Sequence, residues 1–154
     1  MISVWRIVKP KYANSAFDGE GARLMGGRWN HEGVSVVYTS ESLALAALEL
    51  FVQMDGPPSM ALMSIEAQIP EKVSIETLDL NELPQKWNAY PVSTTSQECG
   101  SQWILQQQTA ILKVPSVIIP NEFNYLVNHQ HEDFKYVSIK EPVPFSFDAR
   151  MWKT

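Results

Sequence analysis

Residues 43–52 read LALAALELFV, ten residues with a single charge. No other stretch restricts the fold of this chain as much. At about 3.6 residues per turn it forms a helix on which Ser42, Ala46, Glu49 and Gln53 fall in one narrow stripe. Leucines, alanines and Phe51 fill the rest of the circumference, so most of the helix must be covered. The stripe either faces water or lines a wet cleft inside the protein. In the second case Glu49 needs a partner or a ligand hydroxyl, because an unpaired buried charge is costly. The helix is expected from about Ser42 to Gln53, capped by Thr39 or Ser40 with Glu41 in its first turn. Asp55-Gly56-Pro57-Pro58 stops it.

Around this helix the chain alternates between strand-like and irregular stretches. Residues 2–8, ISVWRIV, read as a strand closed by Lys9-Pro10. Residues 12–25 are small and irregular, with turn signals at Asp18-Gly19 and Glu20-Gly21. Arg28-Trp29 and Val34 to Thr39 read as the two strands of a hairpin turning through Asn30 to Gly33. Further strands are expected over Met60 to Ile69, Val73 to Leu78, Ala110 to Ile119, 135–140 and 143–147, and Glu122 to Val127 leads into a loop at Asn128 to Asp133. Leu83 to Trp87 suggests a short helical turn, residues 91–97 a polar loop, and Glu98 to Gln107 a second helix. Strands and helices mix without regular alternation, which argues for an α+β fold rather than a doubly wound sheet.

The length of 154 residues fits one domain spanning 1–154. A formal net charge of −5 with no basic run disfavours nucleic-acid binding through phosphates and leaves a basic partner open. One cysteine, Cys99, allows no internal disulfide and suits a reducing compartment. No apolar run approaches the roughly 20 residues that span a bilayer, and MISVWRIVKPK lacks the pattern of a signal peptide. The expectation is a cytoplasmic protein away from membranes.

Several residue types suggest chemistry. Arg28 follows two glycines that permit close backbone approach. It is either an edge arginine in water or a planar donor offered to a phosphate, and Arg6 allows the same two readings. Tyr38 shares a strand face with Val34 and Val36, and is either a core tyrosine or a surface for stacking an aromatic ring. The hairpin register puts Arg28 opposite Tyr38, and one bulge would reverse that. Ser116 lies in VPSVIIP, without the G-x-S-x-G context of a hydrolase elbow. Asn124 belongs to an amide-rich stretch with Asn121 and Asn128; such groups more often cap turns, and Asn124 is the one carried as a nucleotide-binding candidate. His129 and His131 have poor spacing for a metal, and no P-loop, G-x-G-x-x-G or H-E-x-x-H occurs.

Taken in order, WRI, GGRWNHEGVSVVYTSESLALAALEL, LPQKW, VPSVIIP, NEFNYLVNHQHEDF and FSFDARMW make the chain resemble the RES-domain family. This family supplies the toxin of Xre–RES toxin–antitoxin pairs and is named for Arg, Glu and Ser. The likeness runs through nearly the whole chain. It departs from the family after the PS motif, where an N-P-x-H pattern is common and Asn128 is here followed by His129.

The resemblance implies an ADP-ribosyltransferase-like fold, with a central mixed or antiparallel split sheet and flanking helices. It implies NAD as substrate, without a metal, split at the nicotinamide–ribose bond by hydrolysis or phosphorolysis. Arg28, Tyr38, Glu49 and Ser116 match the family's catalytic set, and Arg6 a second family-like arginine. The arginines would hold phosphates, Glu49 a ribose hydroxyl, Tyr38 the nicotinamide ring, and Ser116 the ribose or the amide. The implied partner is an Xre-type helix-turn-helix antitoxin, in a hetero-oligomer that is a dimer or larger. Two alternatives stay open: ADP-ribosylation of a protein, and a non-catalytic module that binds an antitoxin or a nucleotide.

Overall fold

The computed structural model describes residues 1–58 and 61–152. Met60, the expected start of one strand, lies outside the described residues, as do residues 153–154. Eight strands are found among the described residues: β1 (Ile2–Val8), β2 (Val37–Ser40), β3 (Leu62–Ile69), β4 (Ile75–Thr77), β5 (Ile111–Pro115), β6 (Phe123–Val127), β7 (Ser138–Ile139) and β8 (Val143–Phe145). Three α-helices join them: α1 (Glu20–Met25), α2 (Leu43–Phe51) and α3 (Thr94–Gln106).

The sheet runs β4-β5-β6-β2-β1-β3-β7, with β8 also on β3. Only β4 and β5 pair in parallel; the other pairings are antiparallel. This is the expected α+β class with a mixed sheet. The sheet is also split. β1 matches β3 over seven register pairs from Ile2↔Ile69 to Val8↔Met63, whereas β2 meets β1 at one, Trp5↔Ser40. The two halves therefore diverge between β1 and β2, and the cavity described below opens there.

The period-two pattern of the strands explains why both faces are covered. Ile111, Tyr125 and Val127 point into one apolar cluster with Val4, Val37, Ile65, Ala67 and Ile69. Leu112, Val114 and Leu126, one residue out of phase, join a second cluster with Trp29, Val36, Trp103 and Ile104. Burying each such large side chain contributes roughly 1.5–3 kcal/mol. The second cluster seats α3 against the loop that carries Arg28.

Several local expectations are corrected. Residues 12–25 are largely ordered, with a 3-10 turn at Pro10–Ser15 and α1, which Gly19 enters at φ 70° while Asp18 Oδ1 accepts from Glu20 N. Arg28-Trp29 is no strand. Gly27 N bonds Asn30 O in a tight turn instead of a hairpin. The loop closes around the buried Asn30, whose Nδ2 donates to the carbonyls of Ala22, His31 and Val34. With its carbonyls satisfied this way, the segment needs no ladder.

The cap of α2 is Ser42, which accepts from Leu45 N, because Thr39 and Ser40 are still in β2. Glu41 stands outside the helix and accepts from Phe123 N. Helix α3 starts at Thr94 rather than Glu98, since Ser93 already caps it by accepting from Ser96 N. In place of a helical turn at Leu83–Trp87, a 3-10 turn sits at Leu80–Glu82, followed by a bonded turn from Pro84 to Trp87.

Candidate active site

Between the diverging β1 and β2 lies a cavity of about 1030 Å³. Trp5, Arg6 and Ile7 come from β1, and Tyr38, Thr39 and Ser40 from β2. Ala46, Glu49 and Leu50 come from α2, Gly26 to Trp29 from the loop after α1, and Asn88, Tyr90 and Val92 from the segment before α3. The stripe Ala46–Glu49–Gln53 thus lines a cleft, which decides between its two readings. Arg6, Arg28, Tyr38, Glu49 and Asn124 all reach this one cavity. The question of opposite faces for Arg28 and Tyr38 dissolves, because Arg28 is not on a strand.

Each side chain is held by contacts far away in the chain. Arg28 Nη1 donates to Trp87 O at 2.8 Å and to Ala89 O at 3.0 Å. These bonds tie the segment before α3 to the loop after α1, and the Trp29 and Trp87 rings stack beside them with centroids 6.5 Å apart. Burial lowers the Arg28 pKa, opposed by the charge of Glu49 and by Tyr38. Arg6 Nη1 donates to Tyr38 O at 3.0 Å, while its buried Nε has no partner among the described residues. Burial lowers its pKa too, against the nearby Asp18.

The Tyr38 hydroxyl donates to Asn30 Oδ1 at 2.6 Å and accepts from Trp29 N at 2.9 Å. Burial pushes its pKa well above the ordinary tyrosine value, so the phenol keeps its proton. Gly27 makes room for it: a Cβ there would sit 2.7 Å from the Tyr38 hydroxyl oxygen.

Glu49 Oε1 accepts two bonds of 2.8 Å, from Ser116 Oγ and from Asn124 Nδ2. Oε2 receives none from the described residues. Ser116 is fully buried and stands behind the carboxylate rather than on the cavity wall. Its one proton goes to Glu49, and its oxygen accepts from Ile118 N and Ile119 N. A hydroxyl so committed has no capacity left for a ribose or an amide, so the expected direct contact of Ser116 with a ligand gives way to a bracing role. Asn124 keeps one amide proton and faces the cavity.

None of the three histidines lines this cavity. His131 Nδ1 accepts from Asp133 N, and His129 packs edge-on against Phe134. Among the described residues no three His, Cys, Asp or Glu side chains converge to hold a metal. Sequence reasoning missed Asn30, which read as a hairpin turn, and Ser40, which read as a helix cap. A signal was present only in hindsight: Asn30 directly follows Trp29, and Ser40 follows Tyr38 by two residues.

The class is thus an α+β protein with a split sheet and a cavity holding two arginines, a tyrosine and a braced carboxylate. A family model described as the RES domain matches residues 3–148, and the chain belongs to the RES domain family. It is 40% identical to a "Prs ADP-ribosylating toxin" of a Sphingobium species over 97% of this chain and 96% of that protein. It is 39% identical to a "Toxin Res" of Photorhabdus laumondii over 97% of each, and 32% identical to a "Toxin Res" of Yersinia enterocolitica over 96% of this chain and 98% of that protein. In fold it is similar to a chain of the M. tuberculosis MbcT–MbcA toxin–antitoxin complex, with a TM-score of 0.73 at 15% identity, covering 94% of this chain and 84% of that one. No helix among the described residues is long and apolar enough to cross a membrane.

Proposed function

We propose that this chain is the toxin of a toxin–antitoxin pair and that it consumes NAD by breaking the nicotinamide–ribose bond. One observation carries the reading. Glu49, with one carboxylate oxygen unpartnered among the described residues, lines the same cavity as Arg6, Arg28 and Tyr38.

The chemistry follows from those groups. The glycosidic electron pair leaves with nicotinamide, which departs as a neutral pyridine and needs no general acid. The ribose becomes cation-like, and a negative oxygen placed beforehand beside it stabilises that charge without reorganisation. Glu49 Oε2 accepts from a ribose hydroxyl and supplies this charge. Arg28, whose Nη1 is bound to the chain, turns its remaining N–H groups to the pyrophosphate, and the guanidinium of Arg6, which lines the same cavity, joins it. Tyr38, tethered by its hydroxyl, presents a fixed ring to nicotinamide. Water attacks the anomeric carbon and loses its proton to solvent, giving ADP-ribose, or phosphate attacks and gives the 1-phosphate of ADP-ribose.

The test is product analysis. Purified protein is incubated with NAD labelled in the ADP-ribose half, with and without inorganic phosphate. Release of nicotinamide with labelled ADP-ribose or its phosphate supports the reading, and NAD that stays intact overturns it. A second reading, transfer of ADP-ribose to a protein, is favoured by the name of the Sphingobium relative. Label on a protein band would select it.

The structural neighbour belongs to a toxin–antitoxin complex, which supports an antitoxin partner, and an Xre-type helix-turn-helix protein is the antitoxin that fits this reading. Contacts to DNA then fall to that partner, in keeping with the net charge of −5 here. The antitoxin would block the cavity or its entrance; a complex that turns over NAD as fast as the free chain counts against this.

A further inference from the structure

Ser40 ends β2 at the one place where the two halves of the sheet meet. It is paired with Trp5 on β1 and with Asn124 on β6. It is 4% exposed and lies on the cavity wall. Its hydroxyl donates to Asn124 Oδ1 at 2.7 Å. Asn124 Nδ2 donates in turn to Glu49 Oε1 at 2.8 Å, the oxygen that also accepts from Ser116 Oγ.

The direction of this chain of bonds is fixed by chemistry. A carboxylate only accepts, so the amide must turn its NH₂ to Glu49. That leaves the amide oxygen facing Ser40, where only a donor is tolerated, and the serine hydroxyl supplies one. Remove that donor and the amide oxygen loses its anchor, so the side chain is free to swing and draw its NH₂ away from the carboxylate. Glu49 then loses one of the two donors on Oε1, and with it the constraint that keeps Oε2 toward the cavity.

We propose that Ser40 is a positioning residue for the reaction: it orients the Asn124 amide, which together with Ser116 saturates Glu49 Oε1 and reserves Oε2 for the ribose. The inference rests on the reading of Glu49 as the carboxylate that meets the ribose. The one hydroxyl proton of Ser40 is committed to Asn124, so in this arrangement it is not offered to substrate. Its effect passes wholly through Asn124, and that dependence is measurable.

The experiment is a double-mutant cycle on NAD cleavage by the full chain, using Ser40→Ala, Asn124→Ala and the two combined. Thermal melts confirm that each variant folds. Ser40→Ala is expected to lower kcat by roughly tenfold with KM for NAD within about twofold of the parent. Added to Asn124→Ala, it should change kcat by less than about twofold, because the relay is already cut. Ser40→Cys, a near-isosteric but weaker donor, should fall between serine and alanine in kcat, and it serves the same cycle if alanine impairs folding. Additive losses, a raised KM at parental kcat, or a Ser40→Ala variant as active as the parent would each overturn the relay. A parent chain that leaves NAD intact fails at an earlier point, overturning the functional reading and this inference with it.

Discussion

Ser116 and Glu49 meet back to front: the serine hydroxyl donates to Glu49 Oε1 at 2.8 Å from behind the carboxylate, away from the cavity. With Ile118 N and Ile119 N also bonded to its oxygen, Ser116 is a brace. Ser116→Ala therefore removes the acceptor of two half-buried N–H groups, each bond worth about 0.5–1.5 kcal/mol, and should destabilise the protein by about 1–3 kcal/mol. It should also lower kcat while leaving KM for NAD nearly unchanged. Thermal melts and steady-state kinetics measure both. A raised KM at parental kcat would mean that the serine meets substrate after all.

Glu49→Gln is the cleanest removal of the charge. Ser116 and Asn124 are both donors to the same oxygen, so they hold a glutamine with its carbonyl oxygen toward them and its NH₂ toward the cavity. The fold keeps its bonds, while the ribose meets a donor in place of an anion. We expect kcat for NAD loss to fall on the order of 10²- to 10³-fold with the melting temperature close to that of the parent. Parental turnover in this variant would sink the assigned mechanism.

Arg28 joins binding to the order of the cavity wall, because one nitrogen holds both Trp87 O and Ala89 O. Arg28→Lys keeps a charge but loses the planar fork. It should raise KM for NAD roughly tenfold, the value of one or two charge-assisted bonds, and Arg28→Ala should raise it further. In both variants the amides around residues 85–92 should exchange hydrogen faster than in the parent. Exchange that stays at the parental rate would show that the stacked Trp29 and Trp87 hold the segment without help from the arginine.

Much of this architecture can be read before any coordinates. ISVWRIV, bounded by Lys9-Pro10, becomes β1 over Ile2–Val8, and the single-charge run becomes α2. Both are local: alternation and helical spacing survive without knowledge of neighbours. The stripe of α2 was ambiguous because a solvent face and a wet cleft demand the same residues. Ser116 was legible as a member of the set but not as a brace, since its partner Glu49 stands 67 positions away and only the fold brings the two together. The false hairpin at Arg28 arose because Asn30, a typical turn residue, works here as a buried hub for three carbonyls. All three lie close in the chain, but the role depends on the loop folding back onto α1, which residue types alone do not specify.

Acid should weaken the protein partly through Asp133. Its carboxylate accepts from Ser74 N at 3.1 Å and Ser74 Oγ at 2.9 Å, and these bonds hold its pKa below the usual aspartate range. A depressed folded pKa stabilises the native state fully above the unfolded value of about 3.9. That contribution is lost as pH falls through the lower, folded value. The melting temperature of Asp133→Asn should therefore lie below the parent's near neutral pH, and the gap should close as pH falls below about 4. A gap that persists unchanged at pH 3 would mean the ionised carboxylate is not what the Ser74 bonds stabilise.

Two helical glycines make opposite predictions for the same change. A Cβ on Gly100 of α3 would lie 1.8 Å from the Trp29 carbonyl oxygen and 2.7 Å from its carbonyl carbon. Both are backbone atoms and cannot swing aside, so the helix must lift from the loop that carries Arg28. Gly100→Ala gains at most about 1 kcal/mol of helix propensity and should lose more than that through overpacking, typically about 1–3 kcal/mol and here at the upper end. For a chain of this size each kcal/mol shifts the melting temperature by roughly 2–4 °C. Gly21 in α1 has nothing within 4 Å of the same added atom. Its alanine variant should hold the parental melting temperature or raise it slightly, by about 0.4–1 kcal/mol of unfolded-state entropy. The Gly100 variant should also raise KM for NAD, since displacing Trp29 moves its neighbour Arg28, whereas a lowered melting temperature with parental KM would uncouple α3 packing from the cavity.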